Sequence, residues 1–170
     1  PYMDPAVYGR SIFENSSFIA SSSNPDKSVH GTGFVARLSG TTTEFLNMEL
    51  IMLFGEKPFE YKNGELIFKL SPKLPGWMFT EEEREVEIVV NGNKQTIVIG
   101  KNQLAAVLFG RTLVVYHNPR KLNTYDKEVK VSKYILHFDD KVVEIEGEKV
   151  PEPYSYEVRK GMCKKIEVLL

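Results

Sequence analysis

From residue 57 onward the chain is built of short Val, Ile, Leu and Tyr runs broken about every ten residues by turn formers, and this rhythm constrains the fold most. Glu85, Glu87 and Val89 alternate with Val86, Ile88 and Val90, the period of a strand with one buried face, and Asn91-Gly92 follows as a strong hairpin signal. Gln95 to Ile99 returns from that turn. Leu104 to Phe109 and Arg111 to Tyr116 flank a lone Gly110, and Val129 to Phe138 and Val142 to Glu146 flank Asp139-Asp140-Lys141. After Pro151-Glu152-Pro153 the sequence predicts a short helical turn ended by Gly161, with Ile166 to Leu169 as a last strand. About eight strands of this kind predict a mainly β chain, with a jelly-roll-like antiparallel β-sandwich over residues 57–170. Trp77, after Pro75-Gly76, is expected as a core plug between the sheets.

Residues 1–56 have a different texture, rich in Ser, Thr, Gly and Asn, with one helical segment predicted over 42–54. Thr41 and Glu44 have the spacing of a capping box, in which each side chain satisfies a free backbone donor of the first turn. Gly55 supplies a left-handed residue to end the helix. Only Asn47 and Glu49 break the apolar run from Phe45 to Phe54, so this helix is apolar on nearly every side and must be covered on more than one face. Where no neighbouring helices cover it, self-association through residues 45–54 is expected.

The 170 residues carry 22 basic and 23 acidic side chains, and a net charge of −1 offers no field for nucleic acid or an anionic membrane. At 42% apolar and 26% charged residues the chain is rich enough in apolar side chains for a core. The apolar stretch from Leu50 to Phe54 is too short to span a bilayer, and neither a membrane segment nor a secretory signal is expected. One cysteine, Cys163, cannot form an internal disulfide, and a reducing, cytoplasmic compartment is the expectation. His30, His117 and His137 share no ligand-like spacing with each other or with Cys or carboxylates, so no metal site is predicted, and hydrogen-bonded imidazoles at turns or on a sheet surface are expected instead. Cys163 has no base beside it in sequence and reads as a buried or half-exposed thiol, even with Lys164-Lys165 adjacent. The opening Pro1-Tyr2-Met3-Asp4-Pro5 lacks an initiator methionine, which leaves two expectations, a processed terminus or a piece of a longer protein.

Gly31-Thr32-Gly33-Phe34-Val35-Ala36 matches the loose G-x-G-x-x-A pattern, but no β/α alternation surrounds it and a dinucleotide site is not expected. Asn15-Ser16-Ser17 fits a glycosylation acceptor only as three common residues. Ser39-Gly40-Thr41 places hydroxyls and a glycine at a helix start, where free N–H groups converge; it reads either as a phosphate cradle or as plain capping. Upstream, Arg10, Glu14, Asn15 and Arg37 lie among Tyr8, Phe13 and Phe18, a mixture that suits sugar binding and an ordinary interface equally.

Three strings occur in order: Tyr8-Gly9-Arg10-Ser11, Glu14-Asn15-Ser16-Ser17-Phe18-Ile19, and His30-Gly31-Thr32-Gly33-Phe34-Val35-Ala36-Arg37-Leu38-Ser39-Gly40. Together they resemble the end of the catalytic barrel of cellobiose-phosphorylase-like proteins. Leu74-Pro75-Gly76-Trp77 and Tyr116-His117-Asn118-Pro119 resemble landmarks of the sandwich that follows that barrel. The resemblance implies that residues 1–56 end a helical (α/α)6 barrel and that the parent is an inverting phosphorylase of β-linked glucosides. Its partners would be a disaccharide or oligosaccharide and the missing barrel, with inorganic phosphate as co-substrate and no cofactor or metal. Ser39, Gly40 and Thr41 match the family's phosphate-holding positions, and Arg10, Glu14, Asn15 and Arg37 are the associated candidates for sugar contact. The family's general-acid aspartate and its phosphate-binding histidine and arginine lie upstream in the barrel. No catalytic residue is therefore assigned here, and the isolated chain is expected to be inactive. The other reading is an autonomous carbohydrate-binding or interaction module.

Overall fold

The computed structural model describes residues 18–19, 22–30, 33–34 and 40–170. The chain divides into two compact units, Pro1–Glu49 and Leu50–Leu170. In the first, β1 (Phe18–Ile19) pairs antiparallel with β2 (Gly33–Phe34), and a 3-10 turn, Lys27–Val29, is capped by the Asp26 carboxylate.

Helix α1 (Gly40–Phe54) crosses from one unit to the next. It starts at Gly40, so Thr41 is a helical residue and not the cap that its spacing with Glu44 predicts. Its C-terminus is held by hydrogen bonds from the second unit's own residues. Gly55 takes φ +91°, and its N–H donates to Ile51 O at 2.8 Å. The next three carbonyls, orphaned in any helix, are each taken up: Met52 O by Lys73 N at 2.7 Å, Leu53 O by the Tyr116 hydroxyl at 2.6 Å, and Phe54 O by Ser71 N at 3.1 Å.

The second unit is mainly β. Three hairpins turn through paired left-handed residues. Asn63-Gly64 joins β3 (Phe59–Lys62) to β4 (Glu65–Phe68), Asn91-Gly92 joins β5 (Arg84–Val90) to β6 (Asn93–Ile99), and Phe109-Gly110 lies between β7 (Gln103–Leu108) and β8 (Thr112–His117). The Asp139-Asp140-Lys141 turn joins β9 (Lys133–His137) to β10 (Val142–Glu146). After the helix α2 (Tyr154–Arg159), β11 (Lys165–Leu169) does not close an edge. It enters the middle of a five-stranded sheet ordered β10-β9-β11-β8-β7, antiparallel to β9 and parallel to β8. The parallel pair departs from an all-antiparallel arrangement; its crossover runs through the β9–β10 hairpin and α2.

Strand alternation gives this sheet two unlike faces. Val114, Tyr116, Tyr134, Leu136, Ile166 and Val168 are fully buried on one side, where they meet Phe54, Phe68, Leu70, Leu74, Phe79 and Val150. The two buried tyrosines place their hydroxyls on backbone: Tyr116 donates to Leu53 O, and Tyr134 accepts from Leu70 N at 2.9 Å. Burial pushes both phenols well above their ordinary range. Trp77 is not the expected plug, since 55% of it is exposed. Pro75 and Gly76 are buried, and the Lys121 carbonyl packs so closely against the Gly76 Cα that no side chain fits there. Phe68 and Phe79 fill the interior instead.

Candidate functional site

The opposite face of the sheet carries charge. Glu167 on β11 lies opposite Val115 and Ile135, and the histidines stand diagonally to either side, His117 on β8 opposite Leu169 and His137 on β9 opposite Lys165. Because β11 is inserted between β8 and β9, residues far apart in the sequence share one patch of surface. His137 Nε2 donates to Glu167 Oε1 at 2.9 Å, and Lys165 Nζ donates to the same oxygen at 2.9 Å. His117 Nε2 lies 2.8 Å from Oε2 without the alignment of a directed hydrogen bond.

Burial raises the Glu167 carboxyl, but the hydrogen bond and charge of Lys165, the imidazole of His117 and the His137 hydrogen bond outweigh it and hold the group below the usual carboxylate range. An ionised carboxylate is an acceptor only, which sets His137 Nε2 as the protonated nitrogen. The state of His117 follows from its other side. Gly100 N–H donates to Gln103 Oε1 at 2.8 Å, which turns the Gln103 amide so that its Nε2 donates to His117 Nδ1 at 3.2 Å. Nδ1 is thus the acceptor and Nε2 carries the hydrogen. A cleft of about 410 Å³ opens beside this pair, bounded by Asn102, Pro119, Ile135 and Leu169 among others. Asn102 Nδ2 donates to Pro119 O at 3.2 Å, and its Oδ1 is buried with no partner among the described residues.

Of the residues singled out in the sequence, Arg10, Glu14, Asn15, Arg37 and Ser39 lie outside the described residues. Gly40 and Thr41 form the first turn of α1. His30 places Nε2 2.8 Å from Asn24 O at a turn. Cys163 is fully buried, and burial pushes its thiol up to about 11, against two weaker backbone hydrogen bonds that lower it. A thiol so held is not a nucleophile near neutral pH. Among the described residues no group of three or more His, Cys, Asp or Glu is placed to hold a metal ion, and no helix is long and apolar enough to cross a membrane. The sequence reading treats His117 and His137 as separate imidazoles; their meeting at Glu167 depends on strand order, which no local spacing records.

Compared with known proteins, the chain matches no family model and no curated protein. The fold and the site therefore define a class only: a mainly β unit carrying a polar histidine–carboxylate cleft.

Proposed function

We propose that the chain is the C-terminal portion of a carbohydrate-active enzyme, an inverting phosphorylase of β-linked glucosides such as cellobiose. The observation that carries this reading is the ordered run of strings from Tyr8 to Gly40, with Leu74–Trp77 and Tyr116–Pro119 following in the sandwich region. The succession of elements agrees with it: a helix beginning at Gly40 leads into a mainly β unit. On this reading α1 is the last helix of an (α/α)6 barrel and the β unit is a jelly-roll-like sandwich. Ser39, Gly40 and Thr41 help to hold inorganic phosphate for attack on the anomeric carbon, with helix-end N–H groups in place of a buried cation. Arg10, Glu14, Asn15 and Arg37 contribute sugar contacts. The general acid that protonates the leaving oxygen is supplied by the barrel, so the 170 residues alone do not turn over.

The test is phosphate-dependent release of glucose 1-phosphate from cellobiose, assayed with the natural gene product and with the 170-residue chain. Turnover is expected from a natural product that includes a barrel and none from the chain. A natural product of 19.4 kDa, or turnover by the chain that is lost on Glu14→Gln, would overturn the reading. The second reading, an autonomous carbohydrate-binding or interaction module, is favoured by one observation: Leu50–Leu170 forms a compact unit around its own core.

A further inference from the structure

Only one arrangement of hydrogens joins His117 to the turn between β6 and β7. Gly100 N–H can only donate, and it donates to Gln103 Oε1 at 2.8 Å. The amide so oriented presents Nε2, a donor, to His117 Nδ1 at 3.2 Å. The chain of bonds therefore needs a lone pair on Nδ1, which a neutral imidazole has and an imidazolium lacks. The groups around the ring carry both signs of charge. Glu167 on β11 lies 2.8 Å from His117 Nε2, a ready counter-ion for an imidazolium, while Lys165 on β11 and His137 on β9 bond to its other oxygen. Lys101 in the β6–β7 turn and Leu170, which ends the 170-residue chain with a carboxylate, line the same cleft. Imidazoles as a class gain their second proton between about pH 8 and pH 5.

When Nδ1 takes a proton, N–H faces N–H across the 3.2 Å contact with Gln103. The amide can keep its orientation and leave Nδ1–H without an acceptor, or it can turn over and offer Oε1 to the ring. A hydrogen bond from a charged donor is about twice as strong as one between neutral groups, so the ring wins the oxygen. Turning over sets Gln103 Nε2 against Gly100 N–H, two donors, and Gly100 loses its acceptor. The rest of the turn does not follow. Thr80 Oγ1 donates to Gly100 O at 2.5 Å, Thr80 N–H to Gln103 O at 3.0 Å, and Asn102 N–H to Thr80 O at 2.9 Å, and none of these bonds uses the Gln103 amide group.

We infer that Gln103 is a proton-sensitive latch: neutral His117 holds its amide closed on Gly100 N–H, and the imidazolium turns it over and releases that N–H at the base of the β5–β6 hairpin. The test is an NMR titration of the 170-residue chain from pH 8 to pH 5. It follows the imidazole C–H resonances of His117 and His137 and the hydrogen-exchange protection of the Gly100 amide, relative to the unstructured rate at each pH. Protection of Gly100 is expected to fall roughly tenfold with the midpoint of His117, as the loss of one hydrogen bond gives. The amides of β11, which has a bonded strand on each side, are expected to keep theirs. In His117→Phe, which has no titrating ring, protection of Gly100 should be the same at both ends of the range. A Gly100 amide that stays protected through the His117 titration overturns the inference, as does a His117 that stays neutral to pH 5. A pH-dependent loss that follows His137 instead, or that survives His117→Phe, also overturns it. The titration of the unmodified chain is decisive by itself, and its outcome within the β unit leaves the phosphorylase assay to be judged separately.

Discussion

A methyl group added at Gly76 would overlap the backbone carbonyl of Lys121, and backbone cannot swing aside as a side chain can. Gly76→Ala is therefore expected to cost about 3 kcal/mol or more, as for other overpacked interiors. Trp77→Ala, at a residue 55% exposed, should cost about 1 kcal/mol or less. Urea midpoints of the two variants separate them; equal losses would mean that the close approach at Gly76 contributes no more to the turn than the exposed indole does. Glu167 calls for a different measurement. Its folded pKa is depressed, so the stability it contributes is present above the unfolded value of about 4.3 and is lost as pH falls through the folded value. The groups facing it are Lys165, His117 and His137. Comparing denaturation of the wild type and Glu167→Gln between pH 7 and pH 3 should show the gap between them narrowing below about pH 4.3. A gap that stays constant would show that the carboxylate is not preferentially ionised in the fold.

Elements whose signals are local can be read from the chain, and elements whose position depends on distant partners cannot. Asn91-Gly92, Gly110 and Asp139–Lys141 each mark a turn by their own backbone preferences, and strands flank all three. Asn63-Gly64 carries the same signal, and the two strands it joins could have been read from it. The central place of β11 is non-local: nothing within Lys165–Leu169 records that β8 and β9 will flank it. The candidate site shares that origin, because His117, His137 and Glu167 come from three strands that only the sheet brings together. Trp77 misleads for another reason, since large aromatics are usual interior residues while the close approach at Gly76 is invisible without coordinates. The end of α1 combines both kinds of information. Gly55 is legible as a helix stop, but the hydrogen bonds that receive Met52, Leu53 and Phe54 come from Lys73, Tyr116 and Ser71. Gly55→Ala would force φ +91° on a residue with a Cβ and press that Cβ to 3.0 Å from Ser71 Cβ. A loss of roughly 1–2 kcal/mol is expected in thermal or urea unfolding, and an unchanged midpoint would mean that the helix end can re-form elsewhere.

At the scale of the whole molecule, α1 presents an unusual surface. Phe45, Leu46, Met48 and Leu50 are 40%, 57%, 42% and 49% exposed, while Phe54 at the same helix's end is 3% exposed. Leu46 and Leu50 are one helical turn apart, as are Phe45 and Met48, so these side chains form an apolar band of two stripes with Glu49 between them. Full burial of such a side chain is worth roughly 1.5–3 kcal/mol, and even half of that over four residues is comparable with much of a domain's net stability. Helices of a complete barrel would cover the band in the proposed parent. In the 170-residue chain a second copy can do so, and a two-fold pairing lets each helix cover the other. The chain is therefore expected to sediment as a dimer at low micromolar concentration. The double variant Leu46→Glu with Leu50→Glu should sediment as a monomer, because four carboxylates would then have to be buried at the paired helices. If the unmodified chain is a monomer at that concentration, residues 45–54 are not its self-association surface. Dimerisation that survives the double variant would place the contact elsewhere on the protein.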